Sequence, residues 1–390
     1  MIKLEDNKGI PRSMLVMMAI VSGFTVANLY YNQPLLELIR TDIGIGEIAA
    51  NMITVITQIG YALGLFFIIP MGDLYSRRKI LIVNMLIAAV MGVTIGVADN
   101  VWLIWIASIF LGACSVTPQL FIPIAGQYSK LENKARNMGF VLSGLLTGIL
   151  VSRVISGFVG EYLSWREMFF IAAGLTTACL LVTIGMMPDM KHNFRGNYRL
   201  LMYSVWRIFL RHPQIRLNSI RAAFGFGSML SIWSCLAFHV AQSPLNGGSD
   251  MVGMLGLAGL AGAIAASNIG KYIPKFGVRR FSIAGASFQI MGWVAAFMFG
   301  YSYIGLVVAI ILVDIGSQCQ QLSNQSGCIQ EIPHASNRAN TIFMTTYFIG
   351  GSLGTLCAGL GWNNAEWTGV CLIGAGFSLF SLLISMISKR

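Results

Sequence analysis

The chain has 390 residues, 56% hydrophobic and 11% charged, with a mean hydropathy of +0.71, which excludes an ordinary soluble domain and a disordered segment and places it among membrane proteins. The net charge of +11 does not point to nucleic acid, because the basic residues lie in short segments between apolar runs. Cys114, Cys179, Cys235, Cys319, Cys357 and Cys371 sit inside such runs and Cys328 just past the end of one, all without metal-ligand spacing, so neither a disulfide framework nor a zinc site is indicated.

Twelve apolar runs come close to the roughly 20 residues that a hydrocarbon layer about 30 Å thick demands. They are Met14–Ile39, Ile48–Met71, Ile80–Ala98, Val101–Gln127, Met138–Glu161, Met168–Met187, Ile215–Val240, Met251–Ile269, Phe281–Gly300, Ile304–Gln325, Ala339–Gly361 and Thr368–Ile387. The first lacks the short core and small-residue cleavage site of a secretory signal and is expected to stay as a membrane helix. Of the 26 Lys and Arg, Arg40 and Arg166 fall in alternate loops and Arg153 and Arg221 inside runs; the rest share one side. That side is cytoplasmic by the positive-inside rule, so both termini are expected there. The opposite loops carry acids such as Asp42, Glu47, Asp99, Glu161, Asp250 and Glu366.

The expected fold is an all-α membrane protein with twelve transmembrane helices in two six-helix bundles. A cytoplasmic N-terminus (1–13) precedes the first bundle (14–188), a basic connector (189–214), the second bundle (215–387) and a short tail (388–390). Within the connector, Tyr198 to Leu210 is amphipathic and is either an inner-surface helix or a solvated linker. A basic loop follows the second helix of each half, Gly72 to Lys79 in the first and Gly270 through Gly277 to Arg280 in the second. Such parallel repeats suit halves that rock about a central site.

The tenth run carries Asp314, the one carboxylate with long hydrocarbon stretches on both sides. At 100° per residue, Asp314, Gln318, Gln321 and Gln325 fall within roughly 60° of one another, a polar stripe on an apolar helix. An ionisable group at that depth costs several kcal/mol unless it faces water or the bundle interior, so the stripe reads as part of a solute or ion path. The bland alternative is a protonated packing residue or a structural pair with a neighbouring helix. Arg153 lies about fifteen residues into the fifth run, too deep for easy snorkelling. It either binds an anionic solute or pairs with Asp314 in one conformation, or it bonds helix-end carbonyls or Tyr side chains. Arg221 is near enough to the cytoplasmic side to snorkel and to act as an orientation anchor.

The octet Gly72-Asp73-Leu74-Tyr75-Ser76-Arg77-Arg78-Lys79 is similar to the signature of the major facilitator superfamily between its second and third helices. Ile69, Leu74 and Ser76 depart from that signature, while Asp73, Arg77 and Arg78 keep its acidic and basic parts. The chain further resembles a bacterial efflux-type subfamily, related to acriflavine-sensitivity and sugar-efflux proteins, in Asn28-Leu29-Tyr30-Tyr31-Asn32-Gln33-Pro34 and Val116-Thr117-Pro118-Gln119. The segment Ser143 to Ile149 with Arg153, Ser156 and Gly157, then Trp165-Arg166, and Asp314 with Asn324-Gln325 add to the likeness. Where many antiporters carry a Gly-Pro pair in helix five, this chain has Arg153 and no proline.

The resemblance implies alternating access by a secondary transporter in the bacterial cytoplasmic (inner) membrane, moving a small organic solute by proton-coupled efflux. Asp314 would couple the proton, with a protonation state that depends on which way the cavity faces. Asp73, Arg77 and Arg78 would form the cytoplasmic gate. The superfamily lines its central cavity with helices one, four, seven and ten, and the periodicity agrees. Asn28 and Asn32 are four apart with Tyr31 beside them, and Ser108, Ser115 and Gln119 recur on one face interrupted by Pro118 and Pro123. The seventh run offers Trp233, Ser234 and His239. Trp233 is a packing residue or a stacking platform; His239 helps a proton enter or caps a helix end. The expected cavity set is therefore Asn28, Tyr31, Asn32, Ser115, Gln119, Arg153, Trp233, Gln318, Gln321 and Gln325. Asn and Gln also glue membrane helices together without contacting solute.

Two other functions compete with efflux: a proton-coupled uptake symporter, and a transport-inactive membrane sensor. An enzyme is not expected, because His192, His212, His239 and His334 are scattered and no Gly-rich Lys-Ser/Thr nucleotide loop occurs. No cofactor or metal is expected, the proton gradient serving as energy source. The expected partners are the solute, the proton and membrane lipid, with no nucleic acid, and the chain is expected to act as a monomer.

Overall fold

The computed structural model describes residues 4–190, 197–262, 264, 272–273, 275–332 and 335–387. Among these residues there is no β-strand, and nine helices are long and apolar enough to cross a membrane. In lipid every backbone N–H and C=O needs an internal partner, and a helix satisfies them within one segment. The helices are α1 (Arg12–Ala27), α2 (Leu36–Ile43), α3 (Glu47–Phe67), α4 (Arg77–Val97), α5 (Val101–Cys114), α6 (Thr117–Tyr128) and α7 (Lys134–Tyr162). They continue as α8 (Trp165–Met186), α9 (Tyr198–Arg211), α10 (Pro213–Ala241), α11 (Ser249–Leu255), α12 (Val278–Phe299), α13 (Tyr303–Glu331) and α14 (Ser336–Ile387). Side chains cap several starts: Asn100 accepts from Trp102 N at 2.7 Å, Ser164 from Arg166 N at 3.2 Å and Ser302 from Gly305 N at 3.0 Å.

The observed helices depart from the apolar runs where the chain carries breakers. The first run is not one helix: α1 ends at Ala27, a tight turn holding Pro34 follows, and α2 resumes at Leu36. The fourth run divides at Ser115 and Val116, because Pro118 lacks the N–H that would continue α5 and instead opens α6. The eighth run leaves α-geometry at Gly256–Gly259, and its later part, with Gly270 and Lys271 of the second basic loop, lies outside the described residues. So do Lys3, the connector stretch 191–196 with His192, His334, and the tail 388–390. Runs eleven and twelve are two helices, carried together under the label α14 and separated by a kink where Ala365 (φ −149°, ψ 25°) and Glu366 (φ 48°, ψ −137°) leave helical geometry.

Small residues set the closest approaches. On α7, a Cβ at Gly144 would lie 2.7 Å from the carbonyl carbon of Ala19, so α1 and α7 meet backbone to backbone. Similarly, α3 packs on α5, α4 on α8, α10 on α14 and α12 on α13. Helices of the first six runs touch those of the last six mainly where α3 meets α14 and α7 meets α11. At the end of the molecule carrying the acidic loops, Arg166 is neutralised by Asp42 at 3.2 Å and Asp99 at 3.0 Å and donates to Ala98 O at 2.7 Å.

Candidate functional site

Between these two contact zones lies a cavity of about 640 Å³ walled by α3, α6, α7, α10, α13 and α14, a volume suited to a small organic molecule. It runs from Arg153 and Asp314 to Met138, Ile329 and Asn337, toward the basic-loop end. The other end is closed by contacts that join early helices to late ones. Ser249 N and Oγ donate to Glu161 Oε2 at 3.0 Å and Gly157 O at 2.8 Å, and Trp362 Nε1 donates to Glu47 Oε2 at 2.8 Å. Gly157 and Gly253 let α7 and α11 approach so closely that a Cβ on Gly253 would sit 2.8 Å from the carbonyl oxygen of Arg153.

Arg153 and Asp314 line the closed head of the cavity, only 2% and 6% exposed. The Arg153 guanidinium stacks over Trp233 at 3.9 Å and faces Tyr30 at 5.1 Å, while its Nε donates to Gln33 Oε1 at 2.9 Å. The break after α1 makes this possible, since the turn around Pro34 carries Gln33 inward. Among the described residues neither Arg153 Nη2 nor Asp314 Oδ1, both buried, has a hydrogen-bond partner. Buried charges ordinarily pair or coordinate, so two complementary, unsatisfied groups at the head of one cavity form a site able to take protons or a polar solute.

The stripe on α13 faces this space: Gln318, Gln321 and Gln325 line the cavity with Asp314, and Gln119 lines it from α6. Gln321 Oε1 accepts from Tyr347 at 3.1 Å, and Gln325 Nε2 donates to Asn340 Oδ1 at 2.8 Å. Asn28, Tyr31, Asn32 and Ser115 are not in the cavity wall. Asn28 bonds Thr176 and Asn32 bonds Thr57, each at 3.4 Å, Tyr31 packs in an apolar cluster, and Ser115 Oγ donates to Leu111 O at 2.6 Å. The reason is the end of α1 at Ala27: the i, i+4 face assumed for Asn28 and Asn32 does not exist beyond it. Trp233 lies beneath Arg153 rather than in the wall, a packing platform for the guanidinium.

At the basic-loop end, Asp73 and Arg77 pair at 3.6 Å, Arg77 donates to Gly72 O at 3.1 Å and Gln127 Oε1 at 3.0 Å, and Arg78 donates to Ile184 O at 2.7 Å. Ser76 Oγ donates to Asp189. The loop thus ties the ends of α6 and α8 to the start of α4. His239 caps a helix end, with Nε2 2.9 Å from Gly300 O and its ring stacked on Trp367 at 3.9 Å. Arg221 does not snorkel: it is 0% exposed, and none of its three guanidinium nitrogens has a hydrogen-bond partner among the described residues. Because α10 begins at Pro213, more than two turns earlier, Arg221 is set inside the bundle.

Sequence reasoning missed the aromatic wall, in which Tyr30, Tyr61, Phe226, Tyr347 and Phe348 face the cavity and Phe226 stacks on Tyr347 at 3.9 Å. It missed Gln33 as the partner of Arg153 as well. Gln33 was visible only as a polar residue beside Pro34; the aromatics had no signal apart from ordinary core.

A cavity with a buried polar head inside a helical membrane bundle is an arrangement suited to carrying a solute. The sequence profile of the Major Facilitator Superfamily matches residues 15–355, and the chain belongs to that family. Among its relatives, the uncharacterized transporter YgaY of Escherichia coli O157:H7 is 31% identical over 381 residues, covering 97% of this chain and 96% of its own. The inner membrane transport protein YnfM of Escherichia coli (strain K12) is 23% identical, covering 98% and 92%. The solved structure of a mutant of the nucleoside transporter NupG superposes with a TM-score of 0.77 over 97% of this chain and 100% of that one, at 14% identity, which speaks to the fold alone. The protein is a multi-pass transporter of the bacterial inner membrane.

Proposed function

We propose that this transporter exports a small organic solute in exchange for protons, acting as a monomer by alternating access. In this reading the chain crosses the membrane twelve times with both termini cytoplasmic, and the bundles 14–188 and 215–387 rock about the cavity. The cavity then faces the cytoplasm in this conformation, with the Glu161–Ser249 and Glu47–Trp362 contacts closing the outside. The observation that carries the proposal is Asp314: a carboxyl with an unsatisfied buried oxygen, at the head of a cavity closed on one side only. Rocking would change the water and charge around it, and a group whose surroundings change between two states binds its proton differently in each. Proton and solute movement are linked in that way. Asp73, Arg77 and Arg78 would steady the cytoplasmic edge during the motion.

The test is Asp314→Asn in inverted vesicles. Uptake into the vesicles driven by an imposed proton gradient is expected to fall to background while solute exchange without a gradient persists. Unchanged gradient-driven uptake would remove Asp314 from the coupling step.

A further inference from the structure

Helix α9 has two faces of different character. Its inner face, centred on Leu201 and Val205, each 1% exposed, covers the seam between Leu65 and Ile69 on one side and Asn340 and Met344 on the other. Both ends are tied down, by Tyr198 donating to Phe67 O at 2.9 Å and by Arg216 Nη1 donating to Leu210 O at 2.6 Å. The outer face is apolar yet open: Leu200, Tyr203, Trp206 and Leu210 are 60%, 60%, 54% and 52% exposed. At 100° per residue these four fall within an arc of roughly 120°.

Arg199 and Arg207 share that arc and Arg211 borders it, all three exposed, while no acid occurs between Tyr198 and Arg211. None of the three side chains makes a hydrogen bond or ion pair within the described protein. Beside the start of α9, α3 carries its own exposed apolar row, Ile59, Leu63 and Phe67 at 38%, 40% and 47%, and Phe67 is the residue that Tyr198 grips. A helix with large apolar side chains and unpaired arginines on one face matches an interface of acyl chains below and phosphates above.

We propose that the outer face of α9 is a docking surface for anionic phospholipid in the leaflet at the basic-loop end, where the lipid holds the strap that crosses the seam. The proposal rests on the membrane location and stands whether or not Asp314 couples protons. It is tested with the full-length protein in single-copy nanodiscs of phosphatidylcholine with or without phosphatidylglycerol. The expected results are that the fluorescence component lost in Trp206→Phe is quenched by brominated lipid, and that the unfolding temperature rises with phosphatidylglycerol. The combined variant R199Q, R207Q and R211Q is expected to lose most of that rise. A Trp206 component quenched by aqueous acrylamide and untouched by brominated lipid would overturn the proposal, since the face would then lie in water. So would shielding from acrylamide only in discs holding two copies, which would assign the face to a second chain, or an unfolding temperature indifferent to phosphatidylglycerol.

Discussion

Arg153 and Arg221 are both guanidiniums inside the helical bundle, and they live in different surroundings. Arg153 has an acceptor in Gln33, two aromatic faces and a carboxyl across the same cavity; among the described residues no guanidinium nitrogen of Arg221 has a hydrogen-bond partner. A buried charge without a partner is destabilising, because nothing repays its desolvation, and an apolar side chain of similar length carries no such cost. Arg221→Met is therefore expected to raise the unfolding temperature of the detergent-purified protein. A fall would mean that Arg221 has a partner in another conformation that the molecule needs. Arg153→Lys is not a conservative change, because an ammonium cannot both stack flat on Trp233 and keep the Nε hydrogen bond. Asp314 and its glutamine stripe were legible in the sequence because one helix carries all four and the 3.6-residue period does not depend on anything else. The Arg153–Gln33 contact was not legible, because it spans 120 positions and depends on a turn at Pro34.

At the scale of the element, glycine placement governs which helices can touch. Gly144 on α7 faces the backbone of α1, whereas Gly174 on α8 has no atom within 4 Å of where a Cβ would be. Gly144→Leu should therefore force α1 and α7 apart, at a cost of about 1–3 kcal/mol or more, while Gly174→Ala should stabilise its helix by up to about 1 kcal/mol. The yield of monodisperse protein and its unfolding temperature read both changes; equal behaviour of the two variants would discount the close approach of α1 to α7. Helix positions were largely readable from the apolar runs. Helix continuity was not, as the breaks after Ala27 and at Ser115 show, and those breaks decide which side chains turn inward.

For the whole molecule, the decisive feature is that one end is sealed and the other open. The seal combines two carboxylates accepting hydrogen bonds from the opposite helix group with the glycine contact between α7 and α11. Removing both acceptors, with Glu47→Ala and Glu161→Ala together, should speed amide exchange in Ser249–Leu255 at least several-fold, each lost hydrogen bond being worth about 0.5–1.5 kcal/mol. Exchange that stays at the original rate would place the seal in the backbone packing alone.

Composition, the apolar runs and the one-sided basic loops were enough to settle a polytopic helical membrane protein, because hydrocarbon leaves a chain few alternatives to helices whose backbone groups are satisfied internally. The acid within the tenth run likewise stood out by its cost. Which polar residues reach the cavity, what holds Arg153, and which end is closed depend on contacts between segments far apart in the chain, where bends and glycine approaches set the angles. Those angles exist only once the helices have packed.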